Sequence, residues 1–255
     1  MNEIGKTWVL LRGLTREHRH WESFPEHLQH IFPDSQIITP DLPGNGDHVD
    51  IDSPGSIQEM LLFLRSDIAP VLEDGPVHII GLSMGGMVAI EWMKSYPQEC
   101  AAGILINTSL KGISPFYHRL RPKNYIRMLY SLFTSDIVAR EKIIIAMTTN
   151  LYPDTRQLLR HWVAYAKANR VLPSNAVSQL KASSRYKAPE VKPAVPILLL
   201  NSEKDNLVNP QSSVVLARKW QLPIETHPSA GHDLTLDDSE WVCDKMRDWL
   251  SSINI

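Results

Sequence analysis

Short apolar runs alternate along the chain with longer stretches in which apolar side chains recur every three or four residues. The short runs predict strands, and the run at residues 7–11 shows no polar alternation, a pattern typical of a strand buried on both faces of a sheet. These predicted strands cover residues 7–11, 36–39, 77–80, 103–107, 196–200 and 223–226.

The longer stretches predict amphipathic helices at residues 21–31, 57–72, 84–94 and 239–250. Ser56 is a suitable N-cap for the second of these helices, and Pro70 is expected to kink or end it. Because strands that alternate with helices indicate βαβ units, we predict an α/β fold with a mostly parallel sheet of about six strands flanked by helices.

The alternation breaks between residues 111 and 190, where the pattern predicts helices alone. These cover residues 125–133, 136–147, 155–167 and 175–180. The same segment is basic, whereas the whole chain carries a formal charge of −2. We therefore predict a helical insertion at residues 111–190 that divides an α/β core into residues 1–110 and 191–255.

Composition and cysteine usage narrow the class of protein further. No apolar run is long enough to span a bilayer, and residues 1–6 lack the pattern of a signal peptide. Cys100 and Cys243 lie far apart and predict neither a disulfide framework nor a zinc site. We expect a soluble protein of the reducing cytoplasm.

The sequence Gly81-Leu82-Ser83-Met84-Gly85 joins a predicted strand to a predicted helix. A serine on such a sharp turn is held with its hydroxyl exposed, and the flanking glycines avoid collisions that a Cβ would make. The following helix points free N–H groups and the positive end of its dipole toward an oxyanion. These features predict that Ser83 is a nucleophile.

A nucleophilic serine needs a base and a third group that orients the base. In a parallel sheet both are expected on loops after later strands. His232 lies in a small-residue loop between the last predicted strand and the last helix, whereas most other histidines lie in polar helical stretches. Asp205 and Glu203 both follow the strand at residues 196–200, so the pattern leaves two candidates for the acid.

With these motifs in place, the chain resembles the α/β-hydrolase-fold serine hydrolases over nearly its whole length. Four segments have counterparts in that family's His-Gly segment, its D-x-x-G-x-G loop, its acid loop and its base loop: Arg12-Gly13 followed by Trp21, Asp41-Leu42-Pro43-Gly44-Asn45-Gly46, Ser202-x-x-Asp205 followed by Pro210, and Gly231-His232.

The resemblance implies a role for several residues. It makes Asp205 the acid rather than Glu203, and it implies an oxyanion hole formed by the backbone N–H groups of Leu14 and Met84. The helical insertion would be the family's cap domain. Since the chain starts at the family's third strand, we expect six strands and no N-terminal hairpin.

Two residues depart from the family pattern. Arg12 stands where the family usually has histidine, and Ser202 stands where it usually has glycine. The Arg12 guanidinium is expected to pair with a carboxylate of the loop at residues 41–47, with the binding of an anionic substrate as the alternative.

Compact size and a cap most resemble the small carboxylesterases of the family, including the biotin-pathway esterase that demethylates pimeloyl groups on acyl carrier protein. The implied reaction is hydrolysis of a small or acyl-chain ester through an acyl-enzyme. The alternatives are an acyl thioesterase, a lysophospholipase-like lipase, a carbon–carbon bond hydrolase or, in another class, a non-catalytic ligand receptor. No metal, organic cofactor or nucleic acid partner is expected.

The insertion supplies candidates for binding. Four apolar residues are candidates to line an acyl channel, with a plain cap core as the alternative: Phe116, Leu129, Trp162 and Tyr165. Four basic residues are candidates to dock an acidic partner such as acyl carrier protein or an anionic lipid surface, with a solvated surface as the alternative: Arg121, Lys123, Arg156 and Arg160.

Overall fold

The computed structural model describes residues 7–253, which form a single parallel sheet and the helices around it. The strands are β1 (Thr7–Leu11), β2 (Gln36–Ile38), β3 (Val77–Leu82), β4 (Cys100–Ile106), β5 (Ile197–Ser202) and β6 (Ile224–His227). Every neighbouring pair is parallel in the order β2-β1-β3-β4-β5-β6. The predicted α/β sheet of six strands is therefore confirmed for the described residues. The prediction that no hairpin precedes it falls on residues 1–6, outside the described residues.

The helices are α1 (Phe24–Ile31), α2 (Ile57–Asp67), α3 (Ala69–Leu72), α4 (Met84–Ser95), α5 (Phe116–Arg119), α6 (Tyr125–Phe133), α7 (Ile137–Thr148), α8 (Thr155–Ala168), α9 (Pro173–Arg185), α10 (Gln211–Trp220), α11 (Leu234–Asp237) and α12 (Ser239–Ser252). The Ser56 hydroxyl accepts a hydrogen bond from the backbone N–H of Glu59, which caps α2 as predicted. Helix α2 ends before Pro70, which lies in the separate short helix α3.

Two differences from the predicted helices have physical causes. The helix predicted at residues 21–31 is split into a 3-10 helix at His18–Trp21 and α1, because Glu22 between them has a positive φ of 48°. Helix α10 was not predicted, since its buried face includes Ser212 and Ser213 and therefore lacks a clear apolar stripe.

The two faces of the sheet bury separate apolar layers, because side chains alternate along each strand. In β1, Val9 and Leu11 point to the layer that contains α2, α4 and α10, whereas Trp8 and Leu10 point to the layer that contains α1 and α12. Both layers are buried. This double coverage explains why the four central strands β1, β3, β4 and β5 read as continuous apolar runs, whereas the edge strands β2 and β6 are more exposed and more polar.

Between β4 and β5 the described chain contains helices and no named strand. The chain leaves and returns beside one short parallel bridge between Lys111 and Lys187. The helices in this region share a small apolar cluster, around Trp162 and Leu158, with Leu236 of α11. Residues 111–190 are called the helical segment below, and their status as a separate domain stays a prediction.

The order of the strands reverses between β1 and β3, which are neighbours in the sheet although β2 separates them in the chain. Loops after two such strands diverge and leave a crevice at the carboxyl edge of the sheet, where ligands bind in open α/β folds. The loops that follow β1 and β3 contain Leu14 and Ser83.

Candidate active site

Ser83 follows β3 and has φ 56° and ψ −113°, a conformation that non-glycine residues rarely adopt. The flanking glycines make this turn possible. A Cβ on Gly81 would lie 2.6 Å from the Cα of Gly86, and a Cβ on Gly85 would overlap the carbonyl oxygen of Leu11. The turn is thus packed against both its helix and the neighbouring strand, as predicted from the glycine spacing.

Main-chain and side-chain hydrogen bonds fix the Ser83 backbone. Its N–H donates to the carbonyl oxygen of Ile106 at 2.9 Å, and its carbonyl oxygen accepts from the Thr108 hydroxyl at 3.2 Å. Ser83 itself is half-buried, whereas its neighbours Leu82 and Met84 are buried. Helix α4 starts directly after it, so the positive end of the helix dipole faces the serine.

His232 is buried, and its Nδ1 lies 2.7 Å from Oδ2 of Asp205. The other carboxylate oxygen of Asp205 accepts hydrogen bonds from the backbone N–H groups of Leu207 and Val208, at 2.7 and 2.9 Å. Glu203 is exposed and lies 4.0 Å from Lys204. The structure therefore brings Asp205 rather than Glu203 to His232.

Asn107 joins the loops of the candidate acid and base, a role that sequence reasoning missed. Its side-chain amide donates to the carbonyl oxygen of His232 at 2.8 Å and to the Ser202 hydroxyl at 3.0 Å. Its side-chain oxygen accepts from the backbone N–H of Ser202 at 2.9 Å. The serine at the family's usual glycine position thus has a hydrogen-bonding partner within the fold.

The predicted partner of Arg12 is wrong. Its guanidinium forms two hydrogen bonds to the carboxylate of Asp233, at 3.1 and 2.5 Å, and both side chains are buried. Asp233 directly follows His232 in the sequence, which was the available signal. In the loop at residues 41–47, Asp41 instead accepts from the backbone N–H groups of His18 and Asp47.

This ion pair fixes two loops of the site relative to each other, because Arg12 follows β1 and Asp233 follows His232. The guanidinium carbon also lies 4.7 Å from the ring centre of Trp21, a cation–π distance. Both terminal nitrogens of Arg12 donate to Asp233. If Arg12 also binds an anionic substrate, its guanidinium must therefore contact a second anion in addition to Asp233.

Both predicted oxyanion donors line the same cavity as Ser83 and His232. Met84 is the first residue of α4, so its N–H has no acceptor within the helix. The loop before Leu14 passes close to the serine, since a Cβ on Gly13 would lie 3.3 Å from the Cβ of Ser83.

The cavity has a volume of about 610 Å³ and lies between the sheet edge and the helical segment. Of the four predicted channel residues, Phe116, Trp162 and Tyr165 line it. Leu129 does not. It lies on the outer side of α6, where 59% of its surface is exposed, and Met128 of the same helix faces the cavity instead.

A buried ionic group stands on the helical side of the cavity. Glu141 of α7 is 1% exposed and pairs with Arg16 at 2.7 Å and with Arg140 at 2.9 Å. Nε2 of His20 lies 3.0 Å from Nη1 of Arg16, and the His20 ring packs edge-on against the Trp162 ring. Burial, followed by the charge of Arg16, holds the pKa of His20 well below its usual value. The sequence alone gave no sign of this group.

Asp237 of α11 connects the helical segment to the His232 loop. Its carboxylate accepts from the backbone N–H of Gly231 at 2.6 Å. It also accepts from the backbone N–H groups of Asn150 and Leu151, at 2.9 and 3.1 Å, and from the Thr149 hydroxyl. One carboxylate thus holds residues 149–151 beside the loop of the candidate base.

The four predicted docking residues fall into two kinds. Arg121 donates to the carbonyl oxygen of Asp205 at 2.8 Å, and Lys123 donates to the Asn206 side chain at 2.7 Å, so both support the acid loop. Arg156 and Arg160 lie exposed on α8. Docking of an acidic partner at these residues stays a prediction.

Cys100 and Cys243 are buried and free, and burial raises the pKa of each thiol to about 12.

Within residues 7–253, no helix has the length and apolar character that crossing a bilayer requires.

Comparisons with known proteins agree with the fold. A hydrolase of Pseudomonas putida named for 2-hydroxy-6-oxononadienedioate and 2-hydroxy-6-oxononatrienedioate is 25% identical over 55% of this chain, which spans only 50% of that protein. The pimeloyl-[acyl-carrier protein] methyl ester esterase of Aeromonas hydrophila is 26% identical over 88% of this chain and 91% of its own length.

Among solved structures, a thermophilic esterase from Thermogutta terrifontis superposes with a TM-score of 0.77 at 20% identity, over 98% of this chain and 91% of that one. The model of the alpha/beta hydrolase family matches residues 8–245. The chain therefore belongs to the alpha/beta hydrolase family and is a hydrolase.

Proposed function

We propose that the protein is a serine carboxylic-ester hydrolase in which Ser83, His232 and Asp205 act as a catalytic triad. The observation that supports this best is the pairing of two features in one cavity. One is a serine in strained backbone geometry at the head of a helix, and the other is a buried histidine bonded to a buried carboxylate.

Each group has a defined task in this mechanism. Asp205 accepts a hydrogen bond from the Nδ1–H group of His232. This fixes the tautomer in which Nε2 is free to act as the base that removes the Ser83 hydroxyl proton. The serine oxygen attacks the ester carbonyl, and the N–H groups of Leu14 and Met84 stabilise the oxyanion. His232 then gives its proton to the leaving alcohol, and an acyl-enzyme remains.

Deacylation repeats these steps with water. His232 removes a proton from water as the hydroxide attacks the acyl carbonyl, and the proton returns to the Ser83 oxygen when the carboxylic acid leaves. The apolar lining residues Met128, Leu132 and Leu180 suit a small acyl group or an acyl chain. A thioester follows the same steps with a thiol as the leaving group.

A second candidate is hydrolysis of an anionic oxo acid, the kind of substrate that the name of the Pseudomonas putida relative describes. The buried cation Arg12 at the cavity favours this candidate. Its bidentate pairing with Asp233 favours the neutral ester instead, because the guanidinium charge is already balanced.

The test is hydrolysis of p-nitrophenyl esters of graded chain length, alongside the matching thioesters and an anionic oxo acid. Wild-type protein should hydrolyse at least one ester, and Ser83→Ala should lower kcat by about 10⁴-fold or more while the circular dichroism spectrum is unchanged. Equal hydrolysis by both proteins would exclude Ser83 as the nucleophile.

A further inference from the structure

Helix α6 has two opposite apolar faces, although a helix at the surface of a protein normally has one. Its inner face lines the active-site cavity with Met128 and Leu132. Its outer face holds four large apolar side chains at spacings of three, four and seven residues, all exposed: Ile126, Leu129, Tyr130 and Phe133.

The exposure on this outer face is large. Ile126 is 83% exposed and Phe133 is 59% exposed, and Phe116 and Tyr117 of the preceding helix α5 are exposed as well. In contrast, the apolar stripes of α2, α4 and α12 are buried against the sheet. Several large apolar side chains exposed on one segment mark a site of interaction rather than a stable surface in water.

The charges of this segment are of one sign. Residues 116–135 contain four basic side chains and no Asp or Glu: Arg119, Arg121, Lys123 and Arg127. Lys123 and Arg127 are exposed. An apolar face on a segment whose own charged side chains are all basic is complementary to a surface that is apolar inside and negatively charged outside.

We propose that α5 and the outer face of α6 dock the enzyme on an anionic lipid surface. A second copy of the chain is a poor occupant, because two such segments would bring like charges together. An exposed Tyr side chain suits the headgroup level of a lipid interface because its ring is apolar and its hydroxyl is polar, and an exposed Phe side chain suits the apolar layer beneath. The inner face of the same helix lines the cavity, so docking places the Ser83 pocket next to the lipid.

The experiment measures flotation with vesicles of phosphatidylcholine that contain phosphatidylglycerol, and with phosphatidylcholine alone. All proteins carry Ser83→Ala, so that binding is measured without hydrolysis and the result is independent of the proposed reaction. The parent protein should float with the anionic vesicles. Ile126→Ser with Phe133→Ser should lower the partition coefficient about tenfold or more, because two large apolar side chains no longer leave water.

The control exchanges two apolar side chains of similar exposure outside the segment. Leu62 is 53% exposed on α2, and Val191 is 82% exposed after α9. Leu62→Ser with Val191→Ser should leave flotation unchanged. Arg127→Gln should weaken binding to the anionic vesicles by about fivefold and leave binding to phosphatidylcholine alone unaffected.

Three outcomes would overturn the proposal. The first is no flotation with anionic vesicles, and the second is an equal loss in the Ile126 and Phe133 variant and in the control. The third is another occupant, detected by sedimentation of the protein alone and with an acidic acyl carrier protein. Suppose that the parent protein does not bind vesicles but forms a dimer or a complex with the carrier, and that the Ile126 and Phe133 variant loses this complex. The apolar face would then be assigned to that partner.

Discussion

The two walls of the candidate active-site cavity are held in place in different ways. On the sheet side, Ser83 is fixed by main-chain contacts with the ends of β1 and β4 and by glycines that admit no side chain. On the helical side, Glu141 and Asp237 hold the wall through side-chain ion pairs and hydrogen bonds with residues distant in sequence. The candidate nucleophile is therefore placed by the backbone, whereas the wall that bounds the space for substrate is placed by polar side chains.

The largest effect is expected on the sheet side, at Asp205. Asp205→Asn keeps the shape of the side chain but gives the Nδ1 atom of His232 an amide in place of a carboxylate, which favours the wrong tautomer. We expect kcat for ester hydrolysis to fall by about 10⁴-fold, with the fold intact. Steady-state kinetics and circular dichroism measure both quantities.

Glu203→Gln is the matched control, because it makes the same chemical change on an exposed side chain of the same loop. Its kcat should stay within about twofold of wild type, since exposed pairs contribute little. A larger loss with Glu203→Gln than with Asp205→Asn would contradict the assignment of the acid.

Local sequence determined most of what could be predicted on the sheet side. The central strands follow from apolar runs because both of their faces are covered, and the turn at Ser83 follows from the positions of Gly81 and Gly85. The predicted helix at residues 125–133 has the same bounds as α6. Each of these features depends on residues that are neighbours in the chain.

Contacts between distant residues were not predictable in the same way. Asp41 and Asp233 are both carboxylates near the site, and only the packed fold decides which of them meets Arg12. The apolar stripe of α6 identified a helix but not which face turns inward, so Leu129 was expected in the cavity and lies outside it. Glu141 reaches its partner Arg16 across 125 residues of sequence.

The second largest effect is expected from breaking the buried ion pair between Arg12 and Asp233. Arg12→Met leaves the buried carboxylate of Asp233 without its cation, so the free energy of unfolding should fall by about 3–5 kcal/mol in urea denaturation. Arg12→Met with Asp233→Asn should recover part of this loss, because the uncompensated charge is gone.

Turnover separates the structural role of Arg12 from the binding of an anionic substrate. At a temperature where Arg12→Met is folded, kcat/KM for neutral and anionic esters should fall by the same factor. A loss confined to anionic esters would assign the guanidinium to substrate recognition.

The third effect concerns the contact between the two walls. Asp237→Asn places an amide opposite the N–H groups of Gly231 and Asn150, which loosens the His232 loop and residues 149–151 together. Displacement of a catalytic group lowers kcat by roughly tenfold to a hundredfold. Asp244→Asn on α12, where the carboxylate makes an exposed pair with Arg247, is the control and should leave kcat unchanged. Equal kcat values for both variants would mean that the walls are held independently.

The smallest expected effect concerns His20, on the helical side of the cavity, and the way in which its pKa makes stability depend on pH. Burial and the charge of Arg16 lower the pKa of His20 in the folded protein, whereas the unfolded chain has the ordinary value of about 6.5. Below that pH the unfolded state binds a proton that the folded state does not, so stability falls by up to about 1.4 kcal/mol per pH unit.

His20→Gln removes the group that binds this proton. As the pH is lowered from about 6.5 to 5, the free energy of unfolding of the variant should therefore fall less than that of wild type. Urea denaturation at a series of pH values measures the difference. Parallel curves for the two proteins would show that His20 titrates normally in the folded state.

The reactivity of Ser83 is the central claim, and a fluorophosphonate probe tests it most directly. The probe phosphonylates a serine only when a base removes the hydroxyl proton and an oxyanion site stabilises the phosphonyl oxygen. We expect one adduct per chain, located on Ser83 by peptide mass spectrometry, with no adduct in Ser83→Ala and a rate lowered by about 10⁴-fold in Asp205→Asn. Absence of labelling in folded wild-type protein, or labelling that persists in Ser83→Ala, would contradict the account and favour a non-catalytic ligand receptor or a different nucleophile.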